Sequence, residues 1–259
     1  MEHLQRTREE FTRQAAGFAA SAATTGRPQV ARLVEAVGDS ARMRVLDVAC
    51  GPGIVTSALA ERAQEVVALD LTPQMLEMAR ERCSNAGRTN VVFREGSATA
   101  LPFSDASFDA VVTRLSFHHF LEPVAALKEM LRVLRPGGTL AVADVVSAEK
   151  PDKSELQNAI EVLRDPSHVR MLPGSELVAM IAQFGVTIEQ QETWDQPREF
   201  EEWVGIVANP ERVAPLRTVV RALAMAGEDA GMELTLRDGA VHFVHRWQLV
   251  VASKRVPLA

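Results

Sequence analysis

Arg44-Val45-Leu46-Asp47-Val48-Ala49-Cys50-Gly51-Pro52-Gly53 decides how the rest of the chain is read. An apolar run of the length of a buried strand enters a tight glycine turn, and the turn feeds a segment of helical period that begins near Ile54. Glycine is needed in such a turn because any Cβ would hold a ligand away from the backbone. The helix start offers unpaired N–H groups and the positive end of the helix dipole. Together they predict a nucleotide-like ligand that carries an anionic group.

Working outward, short runs rich in Val, Leu and Ile at 43–49, 65–70, 90–95, 108–114 and 138–146 alternate with longer helical stretches. That alternation is the mark of βαβ units and a parallel sheet. Thr72 and Pro73 supply an N-cap and a first-turn proline to a helix through Cys83, with Met75, Met78, Ala79 and Cys83 on one face. Another helix starts near Glu122-Pro123, carries Val124, Leu127, Leu131 and Leu134, and ends at Arg135-Pro136, where proline removes a helical donor. Helical stretches at 3–22 and 27–38 precede the sheet. Others at 153–164, 174–184, 198–207 and 210–226 follow it, with strands at 186–195 and 241–252. The prediction is an α/β, Rossmann-like fold: a mostly parallel seven-stranded sheet with helices on both faces and an antiparallel final strand. A single domain would fill 1–259, with cap helices over 1–40, a cofactor-binding core over 43–146, and lid helices with the last strand pair over 147–259.

Composition narrows the function. With 259 residues, 47% apolar and 24% charged, the chain is globular in type. Cys50 and Cys83 are too few for a disulfide framework or a cysteine zinc cluster and suit a reducing compartment. Residues 1–6 lack the apolar core of a signal peptide, and no window reaches the ~18 apolar residues of a membrane span, so the cytoplasm is expected. The 28 Lys and Arg against 34 Asp and Glu leave a net charge of −6 and no basic block, which argues against a nucleic-acid partner. Tyrosine is absent, so no phenol serves as acid, base or nucleophile. No metal is expected, because no cluster has ligand spacing; His242 and His245 face opposite sides of their strand.

Asp70 closes the strand that follows the glycine turn, nineteen residues after Gly51. A carboxylate there can accept hydrogen bonds from ribose hydroxyls, which suits any adenosine ligand. The dinucleotide fingerprint Gly-x-Gly-x-x-Gly is incomplete, since Thr56 takes its third position. Asp47 would repel a pyrophosphate, whereas beside a positively charged ligand the same carboxylate is useful.

Asp47-Val48-Ala49-Cys50-Gly51-Pro52-Gly53, Asp70, Ala100-Leu101-Pro102-Phe103 with Ser107-Phe108-Asp109, and Leu134-Arg135-Pro136-Gly137-Gly138 occur in order over 47–138. As a set they resemble the class I S-adenosylmethionine-dependent methyltransferases, in particular the small-molecule branch that includes the ubiquinone/menaquinone-biosynthesis type. The resemblance implies S-adenosyl-L-methionine as cofactor and a small-molecule acceptor as partner, with a homodimer left open. It implies that Asp47, Ala49, Gly51 and Gly53 hold the methionine part and Asp70 the ribose hydroxyls. Leu71 and Met75 would line the adenine slot, with Ser97 and Ala98 at the adenine edge. The family's usual aspartate after the glycine is here Ser97, and its first motif glycine is here Ala49. The stretch 11–19 resembles the helix that closes over the cofactor, with Phe18 where tyrosine often stands. Phenylalanine can pack on a ligand but cannot donate a hydrogen bond to it. The alternative is a helix that simply packs on the sheet.

Ligands of open parallel sheets bind beyond the carboxyl ends of the strands, so Arg114-Leu115-Ser116-Phe117-His118-His119-Phe120 should border the cleft, with Arg114 among the cofactor contacts. Methyl transfer from a sulfonium is an in-line displacement, in which the protein positions the acceptor and removes its proton where needed. A histidine, with an unperturbed pKa of ~6.5, can be that base. The resemblance favours His119 and then His118 as catalytic; the alternative packs one under the sheet edge and ties the other to a carbonyl. Asp165-Pro166-Ser167-His168-Val169-Arg170 has two readings, a lid that brings His168 and Arg170 over the acceptor or a solvated loop. Two other functions compete. An NAD(P)-dependent oxidoreductase is opposed by Thr56, Asp47 and the lack of tyrosine, and a non-catalytic S-adenosylmethionine-binding module would keep the cofactor without methyl transfer.

Overall fold

Val45, Leu46 and Val48 are wholly buried in the computed structural model, which describes residues 2–20, 26–207 and 209–256. They form β1 (Arg44–Val48), a central strand covered on both sides, which is why its sequence is almost unbroken in apolar residues. The pleat sends Leu46 and Val48 to one core and Val45 to another. The first core also takes Val67, Leu69 and Val111; the second takes Val66, Ala110 and Val112.

The sheet runs β3 (Val91–Glu95), β2 (Glu65–Asp70), β1, β4 (Phe108–Arg114), β5 (Leu134–Val146), β8 (Ala240–Lys254) and β6 (Val186–Glu199), with β7 (Thr235–Arg237) paired to β8. The first five strands are parallel to one another, and β8 is antiparallel to β5, β6 and β7. Helices α2 (Arg27–Val37) and α3 (Ile54–Leu59) cover one face through Leu33 and Leu59. The other face carries α5 (Pro123–Val133) and α7 (Gly174–Ala182) through Leu127, Met130 and Ile181. The expected fold class is the observed one, with an eighth strand added. That strand is three residues long and returns through Asp238 and Gly239, both with positive φ, in a two-residue hairpin.

Several boundaries shift. Helix α4 (Pro73–Asn85) buries Met75, Leu76, Ala79 and Cys83, so Leu76 holds the place expected for Met78. Helix α5 ends at Val133, and Leu134 passes directly into β5, which starts there rather than at 138 and shifts register between Phe108 and Ala110. Val124, expected on the buried face, is 40% exposed. The first helix, α1, spans Glu2–Ala20; the expected continuation to 22 lies outside the described residues.

Beyond β5 a third core is built by α6 (Pro151–Arg164), α8 (Phe200–Gly205), α9 (Pro210–Met225) and the start of β8. Trp203, packed edge-on to Phe243, is its largest fully buried side chain. No described helix is long and apolar enough to cross a membrane.

Candidate active site

At the carboxyl ends of β1, β2 and β4 the backbone opens a cavity of about 260 Å³. After β1 the chain turns through Ala49, Gly51 and Gly53, all with positive φ, and Gly53 N–H donates to the Cys50 carbonyl at 3.1 Å. A Cβ on Gly53 would stand 2.8 Å from Ala79 Cα, so glycine there lets α4 pack against the turn. A Cβ on Gly51 would meet nothing within 4 Å, and Gly51 lines the cavity.

Two buried carboxylates share that cavity. Asp70 Oδ2 accepts the Gly51 N–H at 2.8 Å and Oδ1 accepts the Thr72 N–H at 2.8 Å, so Asp70 fastens the turn after β1 to the turn after β2. Burial raises its pKa, against those two hydrogen bonds. Asp47 is 1% exposed and accepts from the Thr56 hydroxyl at 2.6 Å. Burial pushes its pKa up to about 7, with Thr56 and then Arg114 pulling the other way. Arg114 ends β4 on the cavity wall, its guanidinium 5.8 Å from the Trp247 ring. Burial lowers its pKa to about 10, opposed by Asp47 and Asp144.

The remaining walls are mostly apolar. Leu71, Met75 and Ala98 line one side with Ser97, and α1 contributes Leu4, Phe11 and Phe18 across the opening. Helix α1 is held there by the His3 ring, which donates to the His119 carbonyl at 3.1 Å, and by the ring of Phe11, edge-on to His119 at 4.8 Å. His119 sits in a single 3₁₀ turn, Phe117–His119, 6% exposed and on the cavity wall. Its Nδ1 faces the carbonyl of Ser167 at 3.1 Å. His118 is not on the wall; its Nδ1 lies 2.5 Å from Asp144 Oδ1.

The structure therefore gathers Asp47, Ala49, Gly51, Asp70, Leu71, Met75, Ser97, Ala98, Arg114, Phe18 and His119 around one cavity, and leaves Gly53 and His118 behind it. The segment 165–170 is not a solvated loop: Asp165, Ser167 and His168 are buried. Nor does it bring Arg170 to the cavity, since Arg170 forms an exposed pair with Glu176. Sequence patterns mark Thr72 only as a helix N-cap and Ser167 only as part of the 165–170 segment, and they do not single out Asp144. Asp144 leaves a trace, a lone acid inside the apolar run Leu140-Ala141-Val142-Ala143-Asp144-Val145-Val146.

Residues 46–142 match the family model described as a methyltransferase domain. The uncharacterized protein YafE of Escherichia coli is 36% identical over 159 residues, 61% of this chain and 77% of its own length. The chain belongs to the class I S-adenosylmethionine-dependent methyltransferases. The uncharacterized methyltransferase YcgJ of Bacillus subtilis is 35% identical over 164 residues, 63% of this chain and 65% of that protein. Its crystal structure matches with a TM-score of 0.81 and 29% identity, covering 89% of this chain and 99% of that one. A demethylmenaquinone methyltransferase of Renibacterium salmoninarum is 46% identical over 112 residues, 43% of this chain and 45% of that protein. The chain thus spans less than two thirds of YcgJ and about half of that menaquinone enzyme in sequence. These matches do not favour the nicotinamide-dependent oxidoreductase.

Proposed function

We propose that the chain, as one domain over 1–259, transfers a methyl group from S-adenosyl-L-methionine to a small-molecule acceptor. The observation that carries this is the pair of buried carboxylates on one cavity, each in a setting that suits a different part of the cofactor. Each Asp70 oxygen holds one backbone N–H and keeps a lone pair for a ribose hydroxyl. Asp47, raised to about 7 by burial, is poised to ionise beside an ammonium group. The open side of Gly51 leaves room for a ligand against the backbone, and Leu71, Met75 and Ala98 offer an apolar slot for a purine.

When bound, S-adenosylmethionine supplies an activated methyl group on a sulfonium. The chain's own residues then have three tasks. Asp47, Asp70 and the Gly51 turn fix the cofactor's orientation. Helix α1, through Leu4, Phe11 and Phe18, excludes water and gives the acceptor an apolar wall. His119 takes the acceptor's proton where the acceptor must lose one, because its Nδ1 is occupied by Ser167 and the proton-accepting nitrogen is Nε2. Buried free thiols at Cys50 and Cys83 support a cytoplasmic setting.

The test is conversion of S-adenosylmethionine to S-adenosylhomocysteine in the presence of pooled small phenols, enols and amines. Acceptor-dependent product formation is expected. Cofactor binding without turnover on any pool would favour the non-catalytic binding module.

A further inference from the structure

The segment after α6 that the sequence leaves between a lid and a loop is the back wall of His119. Asp165 and Ser167 are wholly buried, and the backbone N–H groups of Val169 and Arg170 donate to the His118 carbonyl at 2.8 and 3.1 Å. His168 is fixed through Nε2 to Asn158 Oδ1 at 2.8 Å, which ties the segment to α6. His119 Nδ1 stands 3.1 Å from the Ser167 carbonyl oxygen and 3.2 Å from the Ser167 hydroxyl. A carbonyl oxygen only accepts, so Nδ1 carries the ring proton and Nε2 the lone pair. The Ser167 hydroxyl donates to Asp165 Oδ1 at 2.6 Å, which turns its lone pairs toward Nδ1–H. Asp165 Oδ1 also accepts the Ser167 N–H at 2.8 Å, and Oδ2 has no hydrogen-bond partner among the described residues.

We propose that Asp165 and Ser167 are positioning residues for proton removal: Asp165 acts through the Ser167 hydroxyl to hold His119 as the Nδ1–H tautomer and to stabilise the imidazolium that forms on it. This rests on the assignment of His119 as proton acceptor. The acceptor's proton moves to Nε2, its electron pair forms the bond to the methyl carbon, and the electrons of the broken carbon–sulfur bond stay on sulfur. Asp165 remains a carboxylate throughout, in the division of labour seen wherever a buried acid orients a histidine base.

The surroundings show why such a partner is needed. His119 faces His118, itself backed by Asp144 of β5, together with His168 and Asp165 from the back wall and Phe11 and His3 from α1. Burial, and then the charge of His118, push the His119 pKa down to about 3, while Asp165 is the largest influence raising it. Without Asp165 the imidazolium would lose the counter-charge that favours it most.

The test is nitrogen-15 NMR of histidine-labelled full chain, with S-adenosylhomocysteine as the added ligand. Wild-type His119 should show a protonated Nδ1 and an unprotonated Nε2. Asp165→Asn frees the Ser167 hydroxyl to donate to Nδ1 and should shift the population toward the Nε2–H tautomer, whereas Ser167→Ala, which keeps the Ser167 carbonyl, should leave Nδ1 protonated; the S-adenosylhomocysteine affinity stays the same in both. If Asp165→Asn does not fold, Asp165→Ser, smaller and equally uncharged, decides. An Nε2–H tautomer in the wild type, or an unchanged tautomer in the folded Asp165 variant, would overturn the proposal. Activity is read separately: S-adenosylhomocysteine formation by His119→Gln at the wild-type rate would remove the base assignment, whatever the spectra show.

Discussion

The rings of His118 and His119 lie 4.2 Å apart, and the pKa values of these sequence neighbours are pushed in opposite directions. For His118, burial disfavours the cation, but the charge and hydrogen bond of Asp144 outweigh it and raise the pKa. For His119, burial and the neighbouring His118 both act downward, and it stays neutral on the cavity wall. Two neighbouring imidazoles pushed apart in this way take different parts, one holding its proton more tightly beside Asp144 and the other facing the cavity as a neutral ring.

Replacing Asp144 with alanine should therefore cost stability in a pH-dependent way. The folded His118 pKa is raised, so its contribution is complete below the unfolded value of ~6.5 and fades as pH rises through the folded value. The folded Asp144 pKa is lowered, so its contribution is complete above ~3.9 and fades as pH falls through the folded value. Breaking the pair should cost on the order of 3–5 kcal/mol, as for other buried pairs that lose one partner. Urea unfolding should show a larger wild-type advantage at pH 5 than at pH 9, and an equal difference at both would contradict the pairing.

Asp47 works against the fold and for the ligand. Its folded pKa of about 7 lies above the ordinary carboxylate value of 3.8, so it costs the ligand-free protein stability as pH rises through that interval. Asp47→Asn keeps the hydrogen bond from Thr56 and removes the charge. It should stabilise the ligand-free protein by on the order of 1–3 kcal/mol at pH 8 and by little at pH 4. The same substitution should weaken S-adenosylmethionine binding by roughly ten- to a hundredfold, the usual loss for a charge-assisted contact. Melting curves at the two pH values and calorimetry at one check both halves.

Asp70→Ala should lose on both counts. It strips the acceptors from the Gly51 and Thr72 N–H groups, at about 1–3 kcal/mol for each one left buried and unpaired. Adenosine alone should lose affinity along with the whole cofactor. Unchanged affinity for adenosine would remove the ribose assignment.

Phe18→Tyr tests whether α1 covers the cofactor. The ring already lines the cavity, and a hydroxyl reaching the ligand would add one hydrogen bond, about two- to tenfold in affinity. No change in the calorimetric constant would put the tyrosine hydroxyl out of the cofactor's reach.

The parallel core was legible because its strands are covered on both sides and read as continuous apolar runs between helical segments. Glycines and acids at the ends of β1 and β2 were legible because only a few residue types tolerate those turns and offer that chemistry. Gly53 answers to a second physical requirement: the close approach of Ala79 demands a glycine there, and in sequence that looks the same as a glycine required by a ligand. Strand β7 was hidden because three residues carry no periodicity. The support of the two histidines was hidden because Asp144 and Ser167 reach them across 26 and 48 residues of chain, and no local pattern encodes such a meeting.

The most direct measurement is calorimetric titration of the full chain with S-adenosylmethionine and, separately, with NAD. Saturable binding of S-adenosylmethionine that is lost in Asp70→Ala, with no heat from NAD, is the expected result. Binding of NAD with none of S-adenosylmethionine would contradict the assignment of the cavity to a methyl donor.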